Sequence, residues 1–176
     1  YRHIMAIVEA TDLPVMIYDI PGRTGVRITD ETLARLAEHE RILAVKDATG
    51  DVEQGFRRME ATGLEYYSGD DGLNFAWLAH GASGVVSVVA HADAHSWREM
   101  ITEVDAGDLA GARAVARRIR PLVQAIMGGG QGAVMAKEAL LLQGRIPSAA
   151  LRLPLVRAEA DEVAALRAVL DASGLL

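Results

Sequence analysis

The first half of the chain alternates short apolar runs with amphipathic stretches. The apolar runs are rich in Val, Ile and Tyr, and each is followed by a turn that contains Gly or Asp and then by a helical pattern. These runs span residues 13–18, 42–46, 64–68 and 84–89. About one βα unit separates consecutive runs, which is too long for a hairpin and suits a crossover between parallel strands. The pattern therefore predicts a parallel α/β architecture.

Polar residues mark the points where helices begin. Thr29 precedes an amphipathic stretch with acidic residues in its first turn, where the helix dipole favours them. Asp51 stands before the next such stretch, and Asp71 is predicted to open a helix over residues 73–79. Each strand is thus expected to lead through a short turn into a capped helix.

After residue 89 the strand signal stops and the remaining sequence has helical patterns. Four helices are predicted, over residues 92–104, 108–126, 133–142 and 159–172. The glycine-rich residues 128–132 lack the Gly-x-x-x-x-Gly-Lys order of a phosphate-binding loop, so they are interpreted as a flexible hinge. The apolar faces of these helices need partners, and we expect part to cover the sheet and part to meet another subunit.

Composition narrows the classes of function. The chain has 176 residues, a formal net charge of −6 and no cysteine, which excludes disulfides, thiolate metal sites and thiol nucleophiles. A cytoplasmic location is the corresponding expectation. No stripe of Lys and Arg provides an electrostatic footprint for nucleic acid. No membrane span is expected, since no apolar run reaches the ~18–20 residues that a span needs. No signal peptide is expected either, because residues 1–3 lead directly into an amphipathic segment.

Lys46 is the first residue that suggests chemistry. It ends the apolar run 42–46, and in parallel α/β folds that end of a strand faces the active site. A lysine amine among apolar groups loses its charge readily, because desolvation disfavours the charged form, and the neutral amine attacks a carbonyl carbon to give a Schiff base. The alternative is a lysine whose amine reaches solvent beside Asp47.

Tyr18 and Arg23 occupy the matching rim of the preceding strand. A phenol at the position of Tyr18 can pass protons, or it can be a packed tyrosine with one satisfied hydroxyl. Arg23 lies in a turn flanked by Pro and Gly, where its guanidinium either grips a carboxylate through two hydrogen bonds or is a solvated loop charge. Both readings stay open at this point.

The other polar groups carry weaker signals. Ser-Gly-Asp-Asp at residues 68–71 is typical of a turn followed by a helix cap, and the backbone near Ser87 is expected to line a pocket beside the fourth strand. His91 and His95 have the spacing of two ligands on one helical face, but no third ligand is apparent. The sequence therefore predicts no metal site.

Four blocks taken together resemble the signature blocks of the dihydrodipicolinate synthase family. They are Tyr-Asp-Ile-Pro-Gly-Arg-Thr-Gly at residues 18–25, Val-Lys-Asp-Ala-Thr-Gly at 45–50, Ser-Gly-Asp-Asp at 68–71 and Gly-Val-Val-Ser-Val at 84–88. Their order and spacing agree as well, and the resemblance runs through the whole chain. Two neighbours depart from the family pattern, because Asp19 stands where Asn is more usual and Gly22 stands where Ser is common.

The resemblance implies a fold and a set of site residues. The fold is the second half of a (β/α)₈ TIM barrel, strands five to eight, over residues 1–105, followed by a helical C-terminal extension over residues 106–176. By the same resemblance Lys46 forms a Schiff base with pyruvate and Tyr18 relays protons. Arg23 meets the carboxylate of the aldehyde partner, and the backbone of Val86 lies against the bound pyruvate.

The implied reaction joins pyruvate to aspartate 4-semialdehyde, giving 4-hydroxy-tetrahydrodipicolinate on the route to diaminopimelate and lysine. It needs no cofactor, because the protonated imine is itself the electron sink, and the implied assembly is a homotetramer. Arg23 favours the synthase over the N-acetylneuraminate lyase branch. There are two alternatives. One is a lyase that acts on 2-keto-3-deoxy-sugar acids or N-acetylneuraminate, and the other is a non-catalytic oligomerising fragment with an inert Lys46.

Length adds one more expectation. A closed barrel of this type needs about 250 residues, so this chain is expected to be a piece of a longer polypeptide or a half-barrel completed by another chain. The absent part would carry a threonine and a second tyrosine of the family's proton relay, the loop that receives the pyruvate carboxylate and most of the lysine-feedback site.

Overall fold

The computed structural model describes residues 1–129 and 131–176 and divides into two compact units, Tyr1–Val86 and Ser87–Leu176. In the first unit strands and helices alternate, as the sequence predicts. Its elements are α1 (Arg2–Glu9), β1 (Val15–Asp19), α2 (Pro21–Thr24), α3 (Asp30–Ala37), β2 (Ile42–Asp47), α4 (Val52–Thr62), β3 (Glu65–Ser68), α5 (Asn74–Ala79) and β4 (Gly84–Val85). The predicted α/β class is confirmed.

The four strands form one parallel sheet in the order β1-β2-β3-β4. Its register aligns Tyr18 with Lys46 and Lys46 with Tyr67, so these side chains form one row on one face of the sheet. The flanking residues point to the opposite face, where the helices pack. Because the strands are parallel, all of their carboxyl ends meet at one edge of the sheet.

The helix-covered face holds the core of the first unit. Val8, Leu33, Leu36 and Tyr66 are buried there with Trp77, whose indole stacks on the Tyr66 ring at 5.8 Å between centroids. The other face is different, because Met16 and Tyr18 on it are exposed. A parallel strand is usually buried on both faces.

The predicted helix caps are confirmed for two helices and wrong for a third. The Thr29 hydroxyl accepts a hydrogen bond from the Thr32 N–H, and the Asp51 carboxylate accepts one from the Gln54 N–H. Asp71 does not cap a helix in this way. The helix α5 begins at Asn74 instead, and the Asp71 carboxylate accepts a hydrogen bond from the Asn74 side chain at 3.1 Å.

The predicted fourth strand, residues 84–89, is wrong beyond Val85. Sheet pairing continues through one further hydrogen bond, from the Val86 N–H to the Ser68 carbonyl at 2.8 Å. The chain then turns, because the Ser87 hydroxyl accepts the Ala90 N–H at 2.9 Å and a 3₁₀ turn follows at Val89–His91. The valines at residues 85–89 favour a strand, but the hydrogen bond between the Ala90 N–H and the Ser87 hydroxyl forms a turn there instead.

The second unit is helical, as the sequence predicts. Its α-helices are α6 (Ala94–Asp105), α7 (Leu109–Met127), α8 (Gly132–Leu142) and α9 (Ala160–Ala172). The buried face of α7 carries Val115, Ile119 and Leu122, and α9 contributes Leu166 and Leu170 to the interior. None of the helices in the part of the chain that the structure describes is long and apolar enough to cross a bilayer.

A buried carboxylate ties a long connection to α8. Residues 143–159 join α8 to α9 without a helix or a strand. Glu138 on α8 is 1% exposed and accepts two hydrogen bonds from the Arg157 guanidinium, at 2.8 and 2.7 Å. The Lys137 ammonium donates to the Ala150 carbonyl at 2.7 Å. The connection is therefore anchored at two points along its length.

Two predictions about this organisation stay untested. The hinge expected at residues 128–132 includes Gly130, which lies outside the described residues. The division at residue 105 between a partial barrel and an extension likewise remains a prediction.

Candidate active site

The structure brings Tyr18 and Lys46 side by side at the carboxyl ends of β1 and β2. Their Cα atoms are register partners, and the Lys46 Nζ lies 4.0 Å from the centroid of the Tyr18 ring. This is the geometry of a cation–π contact. Tyr18 is 41% exposed and Lys46 is half-buried, so the exposed face of the sheet gives access to the amine. The chemical roles assigned to the two residues remain predictions.

Gly69 makes the space that the lysine side chain occupies. It follows β3 directly, and its N–H donates to the Asp47 carbonyl at 2.7 Å. A Cβ at this position would lie 2.8 Å from the Lys46 Cε and 2.9 Å from its Cγ, which is too close for any side chain. Sequence reasoning attributed residues 68–71 to a turn and missed this packing role.

Gly69→Ala is expected to displace the Lys46 amine without unfolding the protein. The new methyl group would also meet the Ala48 Cβ at 3.1 Å, so we expect the overpacking to cost about 1–3 kcal/mol of stability and to shift the Lys46 side chain. Covalent capture of Lys46 by a carbonyl compound should slow about tenfold or more, because reactive groups misplaced by about an ångström lose much of their rate. The measurement is the rate of borohydride-trapped adduct at Lys46, with Gly72→Ala as the control in the same turn.

Arg23 and Val86 also lie at the carboxyl edge of the sheet. Arg23 belongs to the four-residue helix α2, which starts two residues after β1, and its side chain is exposed. The short helix replaces the irregular turn expected there, and Gly25 ends it with φ +72°. Val86 follows β4 and is held to β3 through its N–H. All four predicted site residues therefore lie along one edge, on three different strands or the turns after them.

A cavity of about 510 Å³ adjoins Tyr18 but does not include Lys46. It lies beside β1, the edge strand of the sheet, and apolar side chains from α1, β1 and the segment after α2 line it, among them Ile4, Ile7, Met16 and Val26. The Lys46 amine does not line it. We therefore place the candidate site at the Tyr18–Lys46 row and not in this cavity.

Two buried carboxylates lie on the helix-covered face of the sheet, next to Tyr18 and Lys46 in the sequence. Asp19 and Asp47 follow Tyr18 and Lys46 directly, face the helices and are 2% and 1% exposed. Burial raises the pKa of Asp47, and hydrogen bonds from the Thr49 N–H and hydroxyl partly offset that increase. Among residues 1–129 and 131–176 no three His, Cys, Asp or Glu residues form a group that could hold a metal ion.

Comparison with known proteins identifies the family. Residues 1–173 match the sequence profile of the dihydrodipicolinate synthetase family. The chain belongs to this family. Among relatives, the 4-hydroxy-tetrahydrodipicolinate synthase of Kineococcus radiotolerans is 51% identical over 174 residues, which are 99% of this chain and 56% of that protein. The family resemblance carried by the four sequence blocks is confirmed.

Solved dihydrodipicolinate synthase structures agree with the fold. The Thermotoga maritima enzyme superposes with a TM-score of 0.93 at 38% identity, covering 100% of this chain and 61% of that one. The synthase of Acinetobacter baumannii, solved in complex with pyruvate, gives a TM-score of 0.93 at 34% identity, covering 100% and 60%. The chain therefore spans somewhat more than half the length of the dihydrodipicolinate synthases that it matches.

Proposed function

We propose that this chain is the strand-five-to-eight part of a cytoplasmic 4-hydroxy-tetrahydrodipicolinate synthase, which condenses pyruvate with L-aspartate 4-semialdehyde. The observation that carries the proposal is the Lys46 amine held 4.0 Å from the Tyr18 ring at the carboxyl edge of a parallel sheet. The names of the relatives support the choice of reaction. The Arg23 side chain at the same edge favours the synthase over a lyase acting on sugar acids.

The proposed chemistry begins on Lys46. Its neutral amine attacks the ketone carbon of pyruvate, water leaves, and a protonated imine forms. Loss of a proton from the pyruvate methyl group gives an enamine, whose carbon attacks the aldehyde carbon of the second substrate. In this proposal the Tyr18 hydroxyl passes protons in these steps. The amino group of the second substrate then attacks the imine carbon and displaces the Lys46 amine, so the ring of the product closes and the overall reaction releases one water. The imine supplies the electron sink, so the proposal includes no cofactor.

The remaining site residues bind substrate in this proposal. Arg23 grips the carboxylate of the aldehyde substrate through two hydrogen bonds, and the backbone at Val86 lies against the pyruvate unit. The other relay groups, a threonine and a second tyrosine, would come from the part of the barrel that these residues do not include. Residues 106–176 would form the helical extension, and the complete synthase would assemble as a homotetramer.

Reductive trapping tests the proposal directly. The chain contains two lysines, Lys46 and Lys137, and the Lys137 amine is engaged with the Ala150 carbonyl. In a polypeptide of the relatives' full length, pyruvate and borohydride should add one reduced pyruvate to the peptide that contains Lys46 and none to the peptide that contains Lys137. Lys46→Arg should abolish both the adduct and the synthase activity.

Two results would contradict the proposal in different ways. No adduct on Lys46 in a folded protein would remove the Schiff base. An adduct without turnover of aspartate 4-semialdehyde, but with cleavage of a 2-keto-3-deoxy-sugar acid or N-acetylneuraminate, would keep the Schiff base and change the second substrate.

Arg23 substitutions should affect the two substrates unequally. Arg23→Ala is expected to raise the KM for the aldehyde at least tenfold more than the KM for pyruvate, because only the aldehyde is proposed to touch the guanidinium. Arg23→Lys should be nearly as harmful, since an ammonium cannot reproduce two parallel hydrogen bonds. Steady-state kinetics with each substrate varied in turn measure the ratio, and an equal rise in both KM values would argue against this role.

A further inference from the structure

Two carboxylates lie next to each other behind the proposed catalytic pair. Asp19 and Asp47 are register partners on β1 and β2, and both side chains are buried on the helix-covered face. Neighbouring buried carboxylates repel each other, and each one is costly to keep charged without a cation. The sheet therefore needs a positive charge at this point.

Arg58 on α4 supplies that charge. Its side chain is 5% exposed, and its Nη1 donates to the Asp19 Oδ2 at 3.2 Å. The same guanidinium donates from Nε to the Asp30 Oδ1 at 2.7 Å and from Nη2 to the Ile28 carbonyl at 2.6 Å. One buried side chain thus joins the end of β1 to the segment that runs from α2 into α3.

The Arg58 charge also affects the pKa of Asp47, although no hydrogen bond joins the two side chains among the described residues. Its Oδ1 accepts two hydrogen bonds from Thr49, whereas its Oδ2 has no hydrogen-bond partner among the described residues. The negative charge of Asp19 raises the pKa of this carboxyl beyond the larger effect of burial, and the Arg58 charge lowers it. The titratable groups around this pair are Arg58 from α4, Tyr66 from β3 and Asp30 from α3, whose carboxylate accepts a hydrogen bond from the same guanidinium.

We propose that Arg58 is a positioning residue, which fixes the strand ends that carry Tyr18 and Lys46 by neutralising the Asp19–Asp47 pair. The observation behind the proposal is the buried Arg58–Asp19 contact at 3.2 Å, while the Arg58–Asp30 bond at 2.7 Å holds the same guanidinium from α3. For its catalytic readout the proposal rests on the function proposed above.

Three variants in a polypeptide of the relatives' length test this pairing: Arg58→Met, the double variant Asp19→Asn with Arg58→Met, and Arg57→Met as the control. Arg57 lies next to Arg58 on α4, but its side chain is exposed and pairs with Glu53 along the helix. Removing Arg58 alone leaves two buried carboxylates uncompensated, and the double variant removes one of those charges. In the double variant the Gln54 side chain still donates to Asp30.

The first measurement is competitive acylation of Lys46 against Lys137 at pH 8, which needs no substrate. Loss of the ion pair loosens the strand ends and displaces the Lys46 side chain, so in Arg58→Met the rate of Lys46 acylation should change about three- to tenfold, with the rate of Lys137 acylation unchanged. The second measurement is steady-state kinetics, in which kcat should fall about 10- to 100-fold while the KM for pyruvate changes about twofold or less. The double variant should recover both values to within about threefold of wild type, and Arg57→Met should match wild type.

The outcomes show whether Arg58 acts through its charge or through its packing. A double variant that folds and reacts normally supports the proposal, even if Arg58→Met alone fails to fold. A double variant as impaired as the single one, or as unable to fold, overturns it, because Arg58 then acts through its packing. A single variant indistinguishable from Arg57→Met overturns it as well. If pyruvate fails to trap Lys46 in the wild type, the proposed function falls, and the acylation ratio still tests the pairing.

Discussion

Tyr18→Phe should lower the kcat of the complete synthase by a factor of about 10²–10⁴, the usual cost of losing a general acid–base group. The substitution removes the hydroxyl alone and keeps the aromatic ring that the Lys46 amine contacts. Folding and reductive trapping of pyruvate on Lys46 should therefore survive, while turnover is lost. Steady-state kinetics and the mass of the trapped peptide, measured on the same preparation, separate these two effects.

Tyr67→Phe is the matched control for this experiment. Tyr67 lies on the other side of Lys46 in the same row, and its hydroxyl donates to Glu65 at 2.9 Å. Removing that hydroxyl should leave turnover within a few-fold of wild type. Turnover of Tyr18→Phe within twofold of wild type would make Tyr18 a packing residue.

Residues 1–176 expressed alone should be inactive and should aggregate or associate through the edge strands of the sheet, β1 and β4. The strands β1 and β4 are the two edge strands of the sheet, and Met16 and Tyr18 are exposed on one face of it. At ~25 cal/mol per Å², a few hundred Å² of unburied apolar surface corresponds to several kcal/mol, similar to the ~5–15 kcal/mol that stabilise a whole domain. Light scattering during size-exclusion chromatography measures the association.

Two further samples make this second prediction specific. Addition of the preceding part of a relative's barrel should give a defined oligomer that forms the pyruvate adduct on Lys46. Met16→Lys should reduce self-association of the isolated chain, because a charge on the exposed face opposes apolar contact. A monomeric chain of 176 residues that unfolds cooperatively and has synthase activity would contradict the prediction.

Local sequence signals were sufficient for most of the fold. The apolar runs located β2 and β3 closely, and Thr29 and Asp51 predicted two helix starts, because a cap is a contact within three or four residues. The errors came where short-range hydrogen bonds outweighed the apolar pattern. A hydrogen bond to the Ser87 hydroxyl forms a turn where the valines favoured a strand. The residues after β1 form the short helix α2 where an irregular turn was expected.

The site was predictable only in part, for a physical reason. The positions of Tyr18 and Lys46 at strand ends follow from the chain order, since parallel strands bring their carboxyl ends together. The roles of Gly69 and Arg58 depend on contacts between distant segments, and a single sequence does not show which face of α4 a residue occupies. The usable signals were Asp19 and Asp47, carboxylates at strand positions that face the helices, since buried carboxylates favour a nearby cation.

The contact between Arg157 and Glu138 bears on how far the protein tolerates shortening from its C-terminal side. A deletion that begins after residue 158 removes the apolar contacts of Leu166 and Leu170 but keeps the guanidinium on the buried carboxylate. A deletion that begins two residues earlier also removes the Arg157 guanidinium and leaves the buried Glu138 carboxylate without its two hydrogen bonds. The damage caused by progressive truncation should therefore rise in a step at Arg157, and not in proportion to the length removed.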